Sequence, residues 1–154
     1  MKLTTRGRFA VTSMIDLALY AKDGPVRLAD ISRREQISVA YLEQIFGRLR
    51  RARLVLSSRG PGGGYRLARA LDEISVGAIV DAVEEDVDAT QCHGGASCRG
   101  GAECLAHGLW QELNHRLSDF LHAQTLADVC EKYTARHVPV PAPEAVITLR
   151  ERVL

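Results

Sequence analysis

The side chains best equipped for chemistry lie between residues 92 and 107: Cys92, Cys98, Cys104 and His107, separated by five, five and two residues. Thiolate sulfur and imidazole nitrogen are the ligand types of zinc and of iron–sulfur clusters. Cys104 and His107 stand three apart at the predicted start of a helix, so both leave one edge of it. Gly94, Gly95, Gly100 and Gly101 let the preceding stretch curl and bring Cys92 and Cys98 toward that edge. Four ligands are what a [2Fe–2S] cluster requires, two per iron. The same set suits a Cys3His zinc site, and two of the thiols could instead close a redox disulfide. The spacing matches neither common ferredoxin pattern. His93 is a rival fourth ligand, without the one-turn relation to Cys104. Exchanging one thiolate for a neutral imidazole leaves the set less negative and adds a ligand that protonation can release. Such a cluster suits a sensor better than an electron carrier.

The remaining titratable groups point to no catalysis. Cys130 shares an apolar helix face with Leu126 and Val129 and reads as a small buried hydrophobe. His115, His122 and His137 read as surface or packing residues. No nucleophile–base set or substrate pocket is legible, so no enzyme is expected. The N-terminal apolar stretch is broken by Thr12, Ser13 and Asp16, and no run approaches membrane-spanning length. That predicts a cytoplasmic protein with no membrane partner, whose thiols are kept reduced for metal or redox use.

The elements that must position these groups follow from periodicity. The 154 residues suffice for a small domain with an appendage. Helical spacing predicts a helix over Thr5–Tyr20, stopped by Lys22-Asp23-Gly24-Pro25. A short helix over Leu28–Gln36 should turn Leu28, Ala29 and Ile31 inward. Ser38 is a good N-cap for a third helix from Val39 to about Ala52. Its Leu42, Ile45, Phe46 and Leu49 fall at i, i+3, i+4 and i+7, one core-facing stripe. Strands Leu54–Ser57 and Gly64–Leu67 flank the glycine-rich tip of a hairpin. A helix over Ser75–Val83 precedes a loop at 88–103. A long amphipathic helix over about Glu103–Leu121 carries Leu105, Leu109, Leu113, Leu117, Phe120 and Leu121 on one stripe, and a last helix covers about Leu126–Lys132. The run Val138-Pro139-Val140-Pro141-Ala142-Pro143 predicts a flexible tail. The fold class is therefore mainly α: a winged helix-turn-helix with a small two-stranded wing and a long C-terminal helix, the dimerisation helix by the resemblance given below. Three regions are expected: 1–70 for DNA binding, 71–133 for the linker helix, cluster loop and dimerisation helix, and 134–154 as tail.

Charge supports the first of these regions. Net charge is only +1, yet residues 1–70 hold 14 Lys/Arg against 5 Asp/Glu, whereas residues 71–134 hold 3 against 12. A basic half suits double-stranded DNA. The outer face of the third helix presents Ala40, Tyr41, Glu43, Gln44, Gly47, Arg48 and Arg51. Near its N-terminus, beside Ser38, Gln44 can bridge an adenine edge and Glu43 can accept from cytosine N4. Glu43 also repels phosphate, which should lower affinity for sites lacking its partner. Arg48, Arg50, Arg51 and Arg53 are expected to serve the DNA backbone. At the hairpin tip Arg59 can enter a narrow minor groove, and Gly60 with its neighbouring glycines allows close approach. A phosphate-binding P-loop is the rival reading of that tip, but no Gly-Lys-Ser/Thr follows.

These stretches carry a resemblance. Met1-Lys-Leu-Thr-Thr-Arg-Gly-Arg-Phe-Ala-Val-Thr, Leu28-Ala-Asp-Ile-Ser, Tyr41-Leu-Glu-Gln-Ile-Phe, Arg59-Gly-Pro-Gly-Gly-Gly-Tyr, Val87-Asp-Ala-Thr and the cysteine–histidine loop closely resemble the IscR-type iron–sulfur cluster regulators. These are bacterial winged-helix repressors, and the likeness runs from residue 1 to about 132. It implies a homodimer with crossing long helices, each subunit holding one [2Fe–2S] cluster through Cys92, Cys98, Cys104 and His107. It also implies repression of cluster-assembly genes at a near-palindromic operator, with the assembly machinery as cluster donor. Cluster loss would relieve repression and leave a second class of site available. Sister regulators sense nitric oxide through similar cysteines with a different fourth ligand; His107 favours the supply sensor.

Overall fold

Helix α1 (Thr5–Tyr20) opens on Thr4, whose hydroxyl accepts from the Gly7 N–H, and buries Ala10, Met14 and Leu17 completely. Those residues sit at i, i+4 and i+7, the period that keeps one helical face on the core. The computed structural model of the chain describes residues 4–84, 95 and 103–137. The predicted loop residues Cys92 and Cys98 and positions 138–154 of the predicted tail lie outside the described residues, whereas the expected start of the tail at 134 is still helical, the last helix running to Arg136.

Helix α2 (Leu28–Glu35) ends at Gln36, which takes a left-handed conformation at φ 55° and turns the chain toward α3 (Val39–Arg51). Ser38 caps α3 as its side chain predicts, accepting from the Tyr41 N–H. The stripe of Leu42, Ile45, Phe46 and Leu49 is fully buried. In α2, Ile31 is buried and Leu28 half-buried, but Ala29 is exposed, contrary to its predicted inward setting. Two turns of helix offer only a narrow inner face, and Ile31 fills it.

Strands β1 (Val55–Ser58) and β2 (Gly64–Leu67) pair antiparallel, with Val55 opposite Leu67 and Ser58 opposite Gly64. The first strand starts one residue later than periodicity predicts, because Leu54 still belongs to the turn after α3 and its N–H bonds back to the Leu49 carbonyl. Val26 and Tyr65 exchange both backbone hydrogen bonds, at 2.8 and 2.7 Å, and so stitch the wing to the segment before α2. Gly64 is required there, since a Cβ would stand 2.4 Å from the Val26 carbonyl oxygen. Tyr65 lies edge-on to Phe46 at 4.8 Å, anchoring the wing to α3.

Ser75 caps α4 (Val76–Val83), and the chain returns as α5 (His107–Ala123) and α6 (Leu126–Arg136). Thr125 and Asp128 cap α6 reciprocally, each side chain taking the other's backbone N–H. Backbone bonds from Val76 to Gln124 and from Leu126 to Ile74 join the starts of α4 and α6. Ile74, Ile79, Val83, Leu126 and Cys130 enter the same buried cluster as α1 to α3. Burial raises the Cys130 thiol pKa, in keeping with a packing role.

Candidate nucleic-acid interface and metal ligands

The recognition helix is set by its buried stripe, so its opposite face is what a duplex would meet. Ala40, Glu43, Gln44 and Arg51 are exposed on it, and Ser38 is exposed at its start. Tyr41 is half-buried, its ring edge-on to Phe9 at 5.9 Å. That contact holds the ring against α1 and leaves only part of it available. Arg48 is placed differently from its neighbours: its guanidinium Nη1 donates to the Val83 carbonyl at 3.2 Å. Arg50 reaches the wing, where Nη1 lies 3.4 Å from the Ser57 hydroxyl. Arg53 sits in the left-handed region at φ 58°, turning the chain into the wing. At the tip of the wing Arg59 and Gly60 are exposed, and Gly60 has φ 98°, a conformation that favours glycine.

Of the four predicted metal ligands, the described pair is Cys104 and His107. His107 is the first residue of α5, and its backbone N–H donates to the Cys104 carbonyl at 3.0 Å. Helix α5 thus starts four residues later than predicted, and a turn over Leu105–Ala106 links the two side chains. The one-turn spacing survives, because that hydrogen bond closes the turn. His107 is 3% exposed and Cys104 half-buried, a sheltered position for a soft donor pair. A thiol and an imidazole carried three residues apart on one backbone turn are donor types of an iron–sulfur or zinc centre.

Two features escaped sequence reasoning. Glu84 is buried and caps α1, and Asp16 is buried against Arg34. Each joins residues far apart in the chain; the signal for Asp16 was an acidic residue within an apolar helical face, and Glu84, extended just after α4, gave none.

Three helices, a short turn between the second and third, and a two-stranded wing beside a basic face make a winged helix-turn-helix DNA-binding regulator. Residues 3–132 match the Rrf2 family, described as iron-dependent transcriptional regulators. The HTH-type transcriptional regulator IscR of Photobacterium profundum is 57% identical over 129 residues, covering 84% of this chain and 75% of that protein. Its counterpart in Aliivibrio salmonicida is also 57% identical, over 84% of this chain and 77% of that protein. Among solved structures, T. potens IscR superposes with a TM-score of 0.74 at 32% identity, covering 89% of this chain and 91% of that one. CymR, the global cysteine regulator of B. subtilis, gives 0.74 at 32% identity over 86% and 98%. The chain belongs to the Rrf2 family of transcriptional regulators.

Proposed function

We propose that this regulator holds a [2Fe–2S] cluster through Cys92, Cys98, Cys104 and His107 and, as a homodimer, represses iron–sulfur cluster assembly genes. The observation that carries the reading is the turn at the head of α5, where the backbone N–H of the buried His107 bonds to the carbonyl of the half-buried Cys104. Cys92 and Cys98 complete the four ligands by sequence. When bound, the cluster supplies a redox- and supply-sensitive crosslink between the residues before α5 and the helix itself.

The rest is done by the protein's own side chains. Exposed Gln44 and Glu43 read base edges, and Tyr41 presents the outer part of its ring beside them. Ser38 uses its hydroxyl oxygen to cap α3, and its O–H proton is left to donate to a phosphate at the helix N-terminus. Arg51 supplies backbone attraction; Arg59 and Gly60 bring the wing tip to the minor groove. Two recognition helices related by two-fold symmetry match a near-palindromic operator. The assembly machinery is the cluster donor, and the cytoplasm is where protein, donor and DNA meet.

The test is spectroscopy with iron and sulfide analysis on oxygen-free protein. Two irons and two acid-labile sulfides per chain, with visible absorption lost in Cys92→Ala, support the reading. A colourless protein holding stoichiometric zinc would overturn it.

A further inference from the structure

Glu84 is the last described residue before the chain enters the stretch that carries Cys92 and Cys98, and it is only 8% exposed. Its Oε1 accepts the backbone N–H groups of Thr4 and Gly7, each at 3.0 Å, and the Thr4 hydroxyl. The carboxylate therefore caps α1 from the far side of the sequence, at the positive end of that helix. Gly7 is required for this approach, because a Cβ there would stand 2.3 Å from Oε1. One residue earlier, the Val83 carbonyl accepts from Arg48 Nη1 of α3 at 3.2 Å and from Arg6 Nη1 of α1 at 3.4 Å. This carbonyl ends α4 and has no partner within its own helix.

Helices α1, α3 and α4 are thus tied together where the chain departs for the cysteine-bearing stretch. The returning chain is seated on α4 too. His122 of α5 places Nε2 3.0 Å from Asp81, and its ring occupies the space over Gly77 where a Cβ would lie 2.4 Å from Nδ1. The departing end of that stretch is therefore fastened at Val83 and Glu84, α5 rests on α4 near its own C-terminus, and Arg48 hydrogen-bonds the end of α4 to α3.

We infer that Arg48 is a positioning residue: with Glu84, it couples the state of the cysteine–histidine stretch to the setting of α3, and it is not a phosphate contact. The guanidinium is half-buried on a carbonyl, whereas Arg51, one turn on, is exposed and free for the DNA backbone. A shift of Val83 and Glu84 breaks the Arg48 bond and the α1 cap together, so the recognition helix responds to a change at the root of the loop. This rests on the cluster-holding reading above.

The experiment compares the full chain in cluster-loaded and cluster-free forms, measuring operator affinity across a salt series for the native protein, Arg48→Gln and Arg51→Gln. Arg48→Gln is expected to keep the visible spectrum and the salt slope while the loaded-to-free affinity ratio moves toward one by about fivefold or more. Arg51→Gln should weaken both forms alike and lower the slope by about 0.9. Should Arg48→Gln instead behave as Arg51→Gln, the inference is overturned. If Arg48→Gln does not fold, Glu84→Gln replaces it; a folded Glu84→Gln with the native ratio also overturns the inference. A native protein without labile sulfide, or with a ratio of one, removes the cluster reading itself; a native ratio that survives in the variants removes only the coupling.

Discussion

Arg34 donates through Nε and Nη2 to both carboxylate oxygens of Asp16, each at 2.7 Å, and its guanidinium lies 3.9 Å over the Tyr20 ring. The Asp16 hydrogen bond raises the arginine's pKa, so the cation is secure. The partners differ in burial: the Asp16 side chain is 1% exposed and Arg34 30%. Removing the exposed partner leaves a buried carboxylate with no counter-ion, while removing the buried one frees an arginine that can turn to water. Arg34→Ala should therefore cost about 3 kcal/mol in a urea melt and Asp16→Asn distinctly less. Equal losses would show that the pair is not desolvated. Gln36 offers the opposite sign. Its left-handed φ of 55° disfavours a Cβ, so Gln36→Gly should raise the unfolding free energy by about 0.5–1 kcal/mol, measured in the same melt. At this scale the cap of α3 was legible, since Ser38 bonds to the N–H group three residues on, whereas Ser75, expected inside its helix, caps it instead. The Asp16–Arg34 pair was not, because its partners are 18 residues apart on different helices.

Elements show the same division. The period of α3 named its four buried residues correctly, since i, i+3, i+4 and i+7 admit one core-facing stripe. Periodicity placed the start of α5 too early, because Leu105 continues the stripe in sequence although it lies in the turn before the helix, fully exposed. The contact of α5 with α4 was invisible in sequence, since it pairs His122 with Asp81 across 41 residues. The Ser118 carbonyl, 2.9 Å from Nδ1, chiefly raises the His122 pKa, with Asp81 and Asp119 adding to it. Both ring nitrogens face acceptors, so the doubly protonated ring satisfies both. A raised histidine pKa stabilises most below its unfolded value of 6.5 and loses that contribution as pH rises through the folded value. The stability difference between native protein and His122→Gln should accordingly shrink from about pH 5.5 to about pH 8. A difference independent of pH would mean that the ring only fills the space over Gly77. Asp128 carries the reverse sign: backbone bonding from Thr125 lowers its pKa, so its capping contribution fades only as pH falls through the folded value.

For the whole molecule, the basic first half is the part that folds into the helix-turn-helix and its wing. The apolar face of α5 has no such completion among the described residues. Leu109 and Phe120 are each 61% exposed and Trp110 41%, with Leu113, Leu117 and Leu121 half-buried beside them. A stripe of that width is costly to leave in water, and the homodimer proposed above would cover it with a second copy, helix against helix. The stripe was legible in sequence because its period is local, whereas the packing of α6 against α1 joins distant parts of the chain and was not. If α5 is the dimer seam, Leu109→Glu with Phe120→Glu puts like charges into it from both sides. Sedimentation should then give a monomer of 16.9 kDa with native helical content. The recognition helix lies apart from the seam, so affinity for an isolated half-site should hardly change. On the full near-palindrome the second contact is no longer tethered to the first, and binding should fall about 100-fold or more. A charged variant that remains dimeric would place the seam elsewhere, and equal losses on half-site and full site would mean that α5 shapes the DNA-binding head itself.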